Sequence, residues 1–470
     1  MLRLSVERLA EVTGGRLLTG DPATMINGLA IDSRAVEPGN VFVALVGERV
    51  DGHAFVASAI DAGARAALVT RDDEAVLAAV TASRNPGAAV VLVEDAVDAL
   101  HALAAYHRSR LLCPVIGVTG STGKTTTKDF LRAVLSSAFD VVATEGNRNN
   151  EIGVPLTIFA AGADTGVLVV EMAMRGAGQI ARLARVARPT HGLVTNVGLS
   201  HVGVVGSVEA IADAKGELVE AIPEAGAVFL NGDDAWTERL ASKAHARVVR
   251  YGLSEGCDVR GDDVSTDEGG FPVFTLVARE ASTAVRLPIL GKHNVYNALA
   301  AAAVALELGI GLEEVAEGLA CVQPSAMRMD VFESATGVLV INDAYNANPT
   351  SMRAALSALQ DVPASGRRIA VLGDMAELGS LSELAHFQLG EEVARSRVDV
   401  LVTVGTLGRR IADGARAEGM DPDSIRPCAT PEEASEVLDD LLEGGDAVLV
   451  KASRVMGLER VVEGIIRPHV

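Results

Sequence analysis

Residues 113–127, CPVIGVTGSTGKTTT, constrain this chain more than any other stretch: a short apolar run passes through two glycines into a lysine and three threonines. The pattern calls for a buried strand, a tight turn and a new helix, with the turn built to hold phosphate. Glycines let backbone N–H groups approach phosphate oxygens, the helix start adds its positive dipole end, Lys124 supplies a point charge, and a hydroxyl can hold Mg²⁺. The spacing is shorter than usual. Val118 stands five positions before Gly123, where the common loop has glycine, leaving Gly120, Gly123, Lys124 and Thr125 of that signature. A nucleotide site on an α/β sheet is expected, of a particular subclass.

At 470 residues the chain exceeds one ordinary core, and roughly 150 residues per domain implies about three. Its apolar residues reach 49% while aromatics are only 3%, so cores of Ala, Val, Leu and Ile are expected, which suits helices packed on parallel sheets. The net charge of −21 argues against a sequence-independent grip on nucleic acid. Cys113, Cys257, Cys321 and Cys428 are too scattered for a zinc spacing and read as reduced thiols of a cytoplasmic protein. The N-terminus lacks a signal-peptide core and the Ala-rich run at 298–306 is too short to span a bilayer, so no membrane span is expected and the protein is taken as soluble.

The alternation of β and helical patterns divides the chain into 1–108, 109–322 and 323–470. The first has β runs at 29–32, 41–45, 66–70 and 89–94 with helical patterns at 54–63 and 95–109. The second continues from the phosphate loop through strands at 167–171, 192–196 and 227–231, then changes at 249–290 to short strands with Gly and Asp turns, an antiparallel extension before an Ala-rich helix at 294–308. The third repeats the α/β logic at 338–343, 368–374, 398–405 and 446–451, as in a Rossmann-like domain, but carries no GxGxxG after its first strand.

Ligands of open parallel sheets bind beyond the carboxyl ends of strands. Glu171 ends one strand, and Asn196 ends another with His201 shortly after; beside a phosphate cradle both Glu171 and His201 are plausible ligands of a divalent cation. In 207–222, Lys215 falls on the same helix face as Ile211, Leu218 and Ile222. Either its stem lies on apolar surface and the amine reaches water, or the amine is buried, its pKa lowered, and it is reactive. NDAYNANPTSM at 342–352, with Asn348 and Pro349 as helix cap and first turn, GDMAELG at 373–379 and KASR at 451–454 are three further polar strand ends, the lip of a cleft.

These residues together resemble the Mur ligases, the ATP-dependent amide-forming enzymes of peptidoglycan precursor synthesis, over essentially the whole length. The family loop is similar to TGSTGKTT here, and Glu171, His201 in NVGLSH, Lys215 in AKGE, Asn294 and Asn297 in GKHNVYNA, and Arg328 match family positions. Ala452 stands where glycine is commoner. DAYNANPTSM and LGDMAELG are similar to the motifs of the member that adds D-alanyl-D-alanine to a UDP-N-acetylmuramoyl-tripeptide, and segments typical of the diaminopimelate- or lysine-adding relative are missing.

The resemblance implies a three-domain α/β fold and transfer of the γ-phosphoryl group of ATP to the tripeptide carboxylate, followed by attack of the D-Ala-D-Ala amine. It implies ATP on Gly120, Ser121, Thr122, Gly123, Lys124, Thr125 and Thr126, with adenine and ribose among Asn294, Asn297, Arg328 and Asp343. It implies two Mg²⁺ ions, one on Thr125 and Glu171 and one on His201, with CO₂ carried as a carbamate on Lys215 that helps position metal and phosphate. The UDP end would meet Ser33, Arg34, Asp51, Gly52 and His53, and the muramoyl part Thr144, Asn149 and Asn150. The dipeptide would meet Tyr345, Asn346, Asn348, Lys451 and Arg454. A monomer is expected. The competing readings are a folylpolyglutamate-type ligase, which would not need the DSR and DGH segments of the first domain, and a nucleotide-hydrolysing switch, which would leave the third domain without work.

Overall fold

The computed structural model describes residues 2–85, 87–200 and 202–466. They pack as two compact units: Met1–Gly117 with Phe139–Met172 and Ala181–Thr190, and Val118–Ala138 with Ala173–Ile180 and His191–Val470.

In the first unit the strands run in the order Arg16–Thr19, Ala89–Leu92, Ala66–Val69, Val41–Val43, Leu29–Ala30. The last four are parallel and the edge strand Arg16–Thr19 is antiparallel. Their side chains alternate between two apolar layers. Val41, Val43, Leu68 and Val91 point into one cluster, while Phe42, Ala67, Val69 and Val90 point into the other. Full burial of each Val or Leu is worth roughly 1.5–3 kcal/mol, so burial on both faces selects these unbroken apolar runs. The β run expected at 29–32 stops after Ala30, because the Asp32 carboxylate turns back to accept from Arg34 N–H and caps a 3₁₀ turn, Ser33–Ala35. The sequence pattern missed Arg16–Thr19 and an antiparallel pairing of Arg3–Ser5 with Met25–Asn27 across the helix Val6–Thr13.

In the second unit, His191–Val194, Ala227–Asn231, Arg247–Gly252 and Val259–Thr266 pair in parallel, and Pro272–Ala278 and Ala281–Arg286 add antiparallel to them. The antiparallel extension expected over 249–290 is thus narrower than expected: Arg247–Gly252 and Val259–Thr266 continue the parallel order, and the antiparallel strands begin only at Pro272. The Ala-rich helix is His293–Glu307, buried on nearly every face. Its alanines let it lie close against helix Lys124–Leu135, which begins at the phosphate loop.

The same unit holds a six-stranded sheet: Asp330–Glu333, Leu339–Asn342, Ala447–Lys451, Arg368–Gly373, Val400–Val404, Ile425–Cys428. Only the first strand is antiparallel. The three polar strand ends expected from sequence therefore issue from three adjacent parallel strands. Ala452 is fully buried, and its Cβ takes space that a side chain at Gly373 would need, so glycine at 373 accommodates alanine at 452. No helix among the described residues is long and apolar enough to cross a membrane.

Candidate active site

Strand Val115–Thr119 is buried throughout and delivers the chain into the loop. Gly120 has φ +153° and Gly123 φ +78°. A Cβ on Gly120 would press on Thr195, 3.0 Å from its Cβ, and one on Gly123 would press on Asn297, 3.2 Å from its Cγ. Both conformation and space demand glycine. Asn196 clamps the turn. Its Oδ1 accepts from Thr122 N–H at 3.0 Å, its Nδ2 reaches Thr122 Oγ1 at 2.9 Å, and its carbonyl accepts from Ser121 N–H at 3.0 Å. Thr195 Oγ1 donates to the Thr122 carbonyl at 2.6 Å, and the Tyr251 hydroxyl beneath donates to the Val194 carbonyl at 2.9 Å. Lys124 opens helix Lys124–Leu135 and folds back, its ammonium 2.7 Å from the Gly120 carbonyl. The result is a preformed cradle with a cation across its mouth. Thr125 is 4% exposed one residue further on, and Thr126 is half-buried beside it.

The buried asparagines of helix His293–Glu307 join this loop. Leu290 carbonyl accepts from Asn294 Nδ2 at 2.7 Å, Asn294 Oδ1 accepts from Asn297 Nδ2 at 2.8 Å, and Asn297 Oδ1 accepts from Thr127 Oγ1 at 3.2 Å. The ladder orients each amide by what the next can donate.

Lys215 lies in helix Val208–Glu220, capped by Ser207, and is only 2% exposed, so its amine does not reach water. Burial, and secondarily the charge of Lys124, push its pKa well below the ordinary lysine value. A neutral buried amine is a nucleophile that CO₂ can take.

Glu171, 1% exposed, ends strand Val167–Glu171. Its Oε1 accepts from Asn149 Nδ2 at 2.8 Å, and its N–H donates to Thr144 Oγ1 at 2.9 Å. Asn150 instead caps the turn that follows, accepting from Gly153 N–H at 2.9 Å. His201 lies outside the described residues. Among the described residues no group of three or more His, Cys, Asp or Glu side chains could hold a metal.

At the three adjacent strand ends, the Lys451 ammonium, 2% exposed, sits 2.5 Å from Asp343 Oδ2 and 2.9 Å from the Asn346 carbonyl. Asp343 Oδ1 also accepts from Met329 N–H at 3.2 Å. Arg328 stacks on the Tyr345 ring at 4.1 Å and Arg454 stands over that ring at 6.0 Å, giving two cations on one aromatic plane. Asn348 caps helix Pro349–Asp361 through Ser351 N–H at 2.9 Å and reaches Ser200 Oγ at 2.8 Å. The donors of Lys451 and Asn348 are thus used inside the site's frame. His386, fully buried, accepts from Met375 N–H at 2.8 Å and holds the 373–379 loop to helix Ser382–Arg395.

In the first unit, Ser33 and Arg34 lie on the 3₁₀ turn, where Arg34 grips Asp32 and holds its carboxyl down at about 2. Asp51 caps a second 3₁₀ turn, Gly52–Phe55, and its Oδ1 lies 2.7 Å from His53 Nδ1. The backbone and ring of His53 hold the Asp51 carboxyl at about 2. His53 Nε2 accepts from Thr70 N–H at 3.0 Å.

The sequence pattern gave no role to Thr195, Ser200, Tyr251 or His386. Only Thr195 carried a signal, as part of the apolar run at 192–196. Ser200 and Tyr251 are placed by contacts between distant segments, and His386 by bonds to Met375 and Ser382 on either side of one turn.

Three family models match the chain: the Mur ligase family catalytic domain over residues 25–108, the Mur ligase middle domain over 118–305, and the Mur ligase glutamate ligase domain over 327–454. A UDP-N-acetylmuramoyl-tripeptide–D-alanyl-D-alanine ligase of Bacillus subtilis is 38% identical over 99% of both chains, and one of Mycobacterium bovis 41% over 99% of this chain and 98% of its own. The crystal structure of MurF from Acinetobacter baumannii superposes with a TM-score of 0.89 at 32% identity, covering 99% of both chains. MurF ligase from Thermotoga maritima in complex with ADP has a TM-score of 0.80 at 31% identity, over 93% of this chain and 97% of that one.

Proposed function

The chain belongs to the Mur ligase family, and from that premise we infer that it is an ATP-dependent ligase joining D-alanyl-D-alanine to UDP-N-acetylmuramoyl-tripeptide in peptidoglycan precursor synthesis. The observation that carries this is likeness over 99% of both chains to a ligase of that activity, at 38% identity. A folylpolyglutamate synthase shares only the fold, at 18% identity.

A carboxylate lacks a leaving group, and ATP supplies one. A tripeptide carboxylate oxygen attacks the γ-phosphorus, the bond to the bridging oxygen breaks and ADP departs. The dipeptide amine then attacks the acyl carbon, phosphate leaves with the bonding pair, and the amine loses a proton to give the amide.

The residue roles belong to the same proposal. The amides of residues 120–126 hold the phosphates, and Lys124 offsets charge on the group in transfer. The turn clamped by Asn196, with no room for a Cβ at either glycine, supports this fit. Thr125 and Glu171 hold one Mg²⁺ and His201 a second; nucleotide-bound Mg²⁺ keeps few protein ligands, so no all-protein cage is needed. Bound Mg²⁺ neutralises phosphate charge. Lys215 carries CO₂ as a carbamate, which its buried, neutral amine supports.

Asn294, Asn297, Arg328 and Asp343 frame the nucleoside, and Ser33, Arg34, Asp51, Gly52 and His53 take the UDP end. Thr144, Asn149 and Asn150 line the muramoyl part. Tyr345, Asn346 and Arg454 meet the dipeptide, with Lys451 and Asn348 holding that lip in place. The three domains are bounded as 1–108, 109–322 and 323–470. The enzyme works as a cytoplasmic monomer and serves cell-wall growth, shape and division. ADP release that requires the UDP-muramoyl-tripeptide and D-Ala-D-Ala together is expected; turnover indifferent to either would overturn the assignment.

A further inference from the structure

The hydrogen bonds around Asn348 have a fixed direction. Its Oδ1 meets the Ser351 N–H, which can only donate, so the amide orientation is settled and Nδ2 is the atom 2.8 Å from Ser200 Oγ. Ser200 Oγ lies 3.2 Å from the Ser121 carbonyl, which can only accept. The single hydroxyl proton of Ser200 is therefore committed to Ser121, and its lone pair receives Asn348. A one-way relay runs from the cap of helix Pro349–Asp361 to the second residue of the phosphate loop. Ser200 is 8% and Ser121 7% exposed, so water is poorly placed to substitute.

A second contact stands beside it. Gly203 lies against Gly379 backbone to backbone: a Cβ on Gly203 would fall 2.7 Å from Gly379 Cα and 2.8 Å from the Leu378 carbonyl carbon. Neither is the movable end of a side chain. Arg175 and Glu377 approach to 3.8 Å nearby. The segment that carries the strand-end loops at 342–352 and 373–379 is thus seated on the segment that carries the phosphate loop at two places, one polar and directional, one steric.

We propose that Asn348 is a positioning residue for phosphoryl transfer, acting through Ser200 to set the Ser121 carbonyl and so the phosphate loop when residues 342–379 are seated. The role in transfer rests on the ligase reading; the effect on the loop does not. Asn348→Asp isolates it. Aspartate caps a helix as well as asparagine, so the fold is kept, but it cannot donate, and its carboxylate competes with Ser121 for the Ser200 proton.

The experiment is a binding cycle with ATP and Mg²⁺ on the full chain: wild type, Asn348→Asp, Ser200→Ala and both. Each single change is expected to weaken ATP binding about five- to tenfold, and the pair no more than the worse single, because they break one relay. Gly203→Ala is expected to weaken ATP binding as well, by unseating the same segment. In turnover, kcat falls while KM for D-Ala-D-Ala holds. Unchanged ATP affinity in Asn348→Asp, losses that multiply in the double variant, or a raised dipeptide KM with ATP affinity intact would each overturn the proposal. If wild-type turnover does not need both substrates, the ligase reading fails on its own, and the ATP cycle still decides the relay.

Discussion

Asn297 Oδ1 occupies the space that a side-chain carbon on Gly123 would need, so a helix that starts 170 residues downstream of the loop dictates the loop's residue type. Gly123 also holds φ +78°, a conformation costing roughly 1–2 kcal/mol for any other residue. Gly123→Ala is therefore expected to lower kcat/KM for ATP by about a hundredfold, the scale of a displacement near 1 Å in a reacting group, with the melting temperature falling only a few degrees. Wild-type kinetics in that variant would show that the loop does not hold phosphate.

Lys215 has to be neutral to react and buried to be neutral. Stripping CO₂ and bicarbonate from the assay should depress ADP release, and bicarbonate should restore it; Lys215→Ala should lose activity by about a hundredfold or more and resist that rescue. Activity indifferent to CO₂, with an unmodified amine seen by mass spectrometry under native conditions, would remove the carbamate.

The Lys451–Asp343 pair is closed off from water on the lysine side. Removing the cation alone leaves a carboxylate without its partner, so Lys451→Met should destabilise the protein by about 3–5 kcal/mol, while Lys451→Met with Asp343→Asn should recover much of that. Thermal unfolding of the three variants measures it. A double variant as unstable as the single would mean that packing, rather than charge, is what Lys451 supplies.

His293 is held neutral by burial, and the nearby Lys451 adds to this against the opposing pull of Asp343, so that its pKa falls from 6.5 to about 4. His386 is lowered by burial too. Above pH 6.5 both folded and unfolded chains are neutral at these rings and stability is complete. Below it the unfolded chain binds protons that the folded one refuses, so stability drops as pH falls from 6.5 towards 4, by up to about 3 kcal/mol from His293. Melting temperatures at pH 7.5 and 5 should show the drop, and His293→Gln should lessen it while the other buried histidines keep the rest; an equal slope in the variant would exclude His293 as a source.

Arg279 sits exposed at the tip of the hairpin between Pro272–Ala278 and Ala281–Arg286 with φ +56°. Arg279→Gly should stabilise the fold by about 1 kcal/mol without touching turnover. A lower melting temperature would mean that the arginine earns its place by contacts.

Much of the fold was legible because fully buried parallel strands need unbroken apolar runs, and the runs at 66–70, 227–231 and 446–451 have no other use. The edge strands were not. Ile425–Cys428 carries a proline and Asp330–Glu333 two acids, since an edge needs only one covered face and half its hydrogen bonds. Asp32 shows the converse: the apolar run before it promised more strand, and one carboxylate bent back to its own backbone ended it.

What the chain determines by itself is local: a glycine turn that must cradle an anion, a lysine on the apolar side of its helix, and three strands that end in polar residues. Each follows from periodicity and backbone sterics within about fifteen residues. Only the tertiary structure decides that Asn297 fills the loop's flank, that Lys451 is spent on Asp343, and that Asn348 reaches Ser121 through Ser200. A hydrogen bond depends on distances near 3 Å between atoms tens to hundreds of residues apart, and nothing in the order of residues records those distances until the sheets have packed.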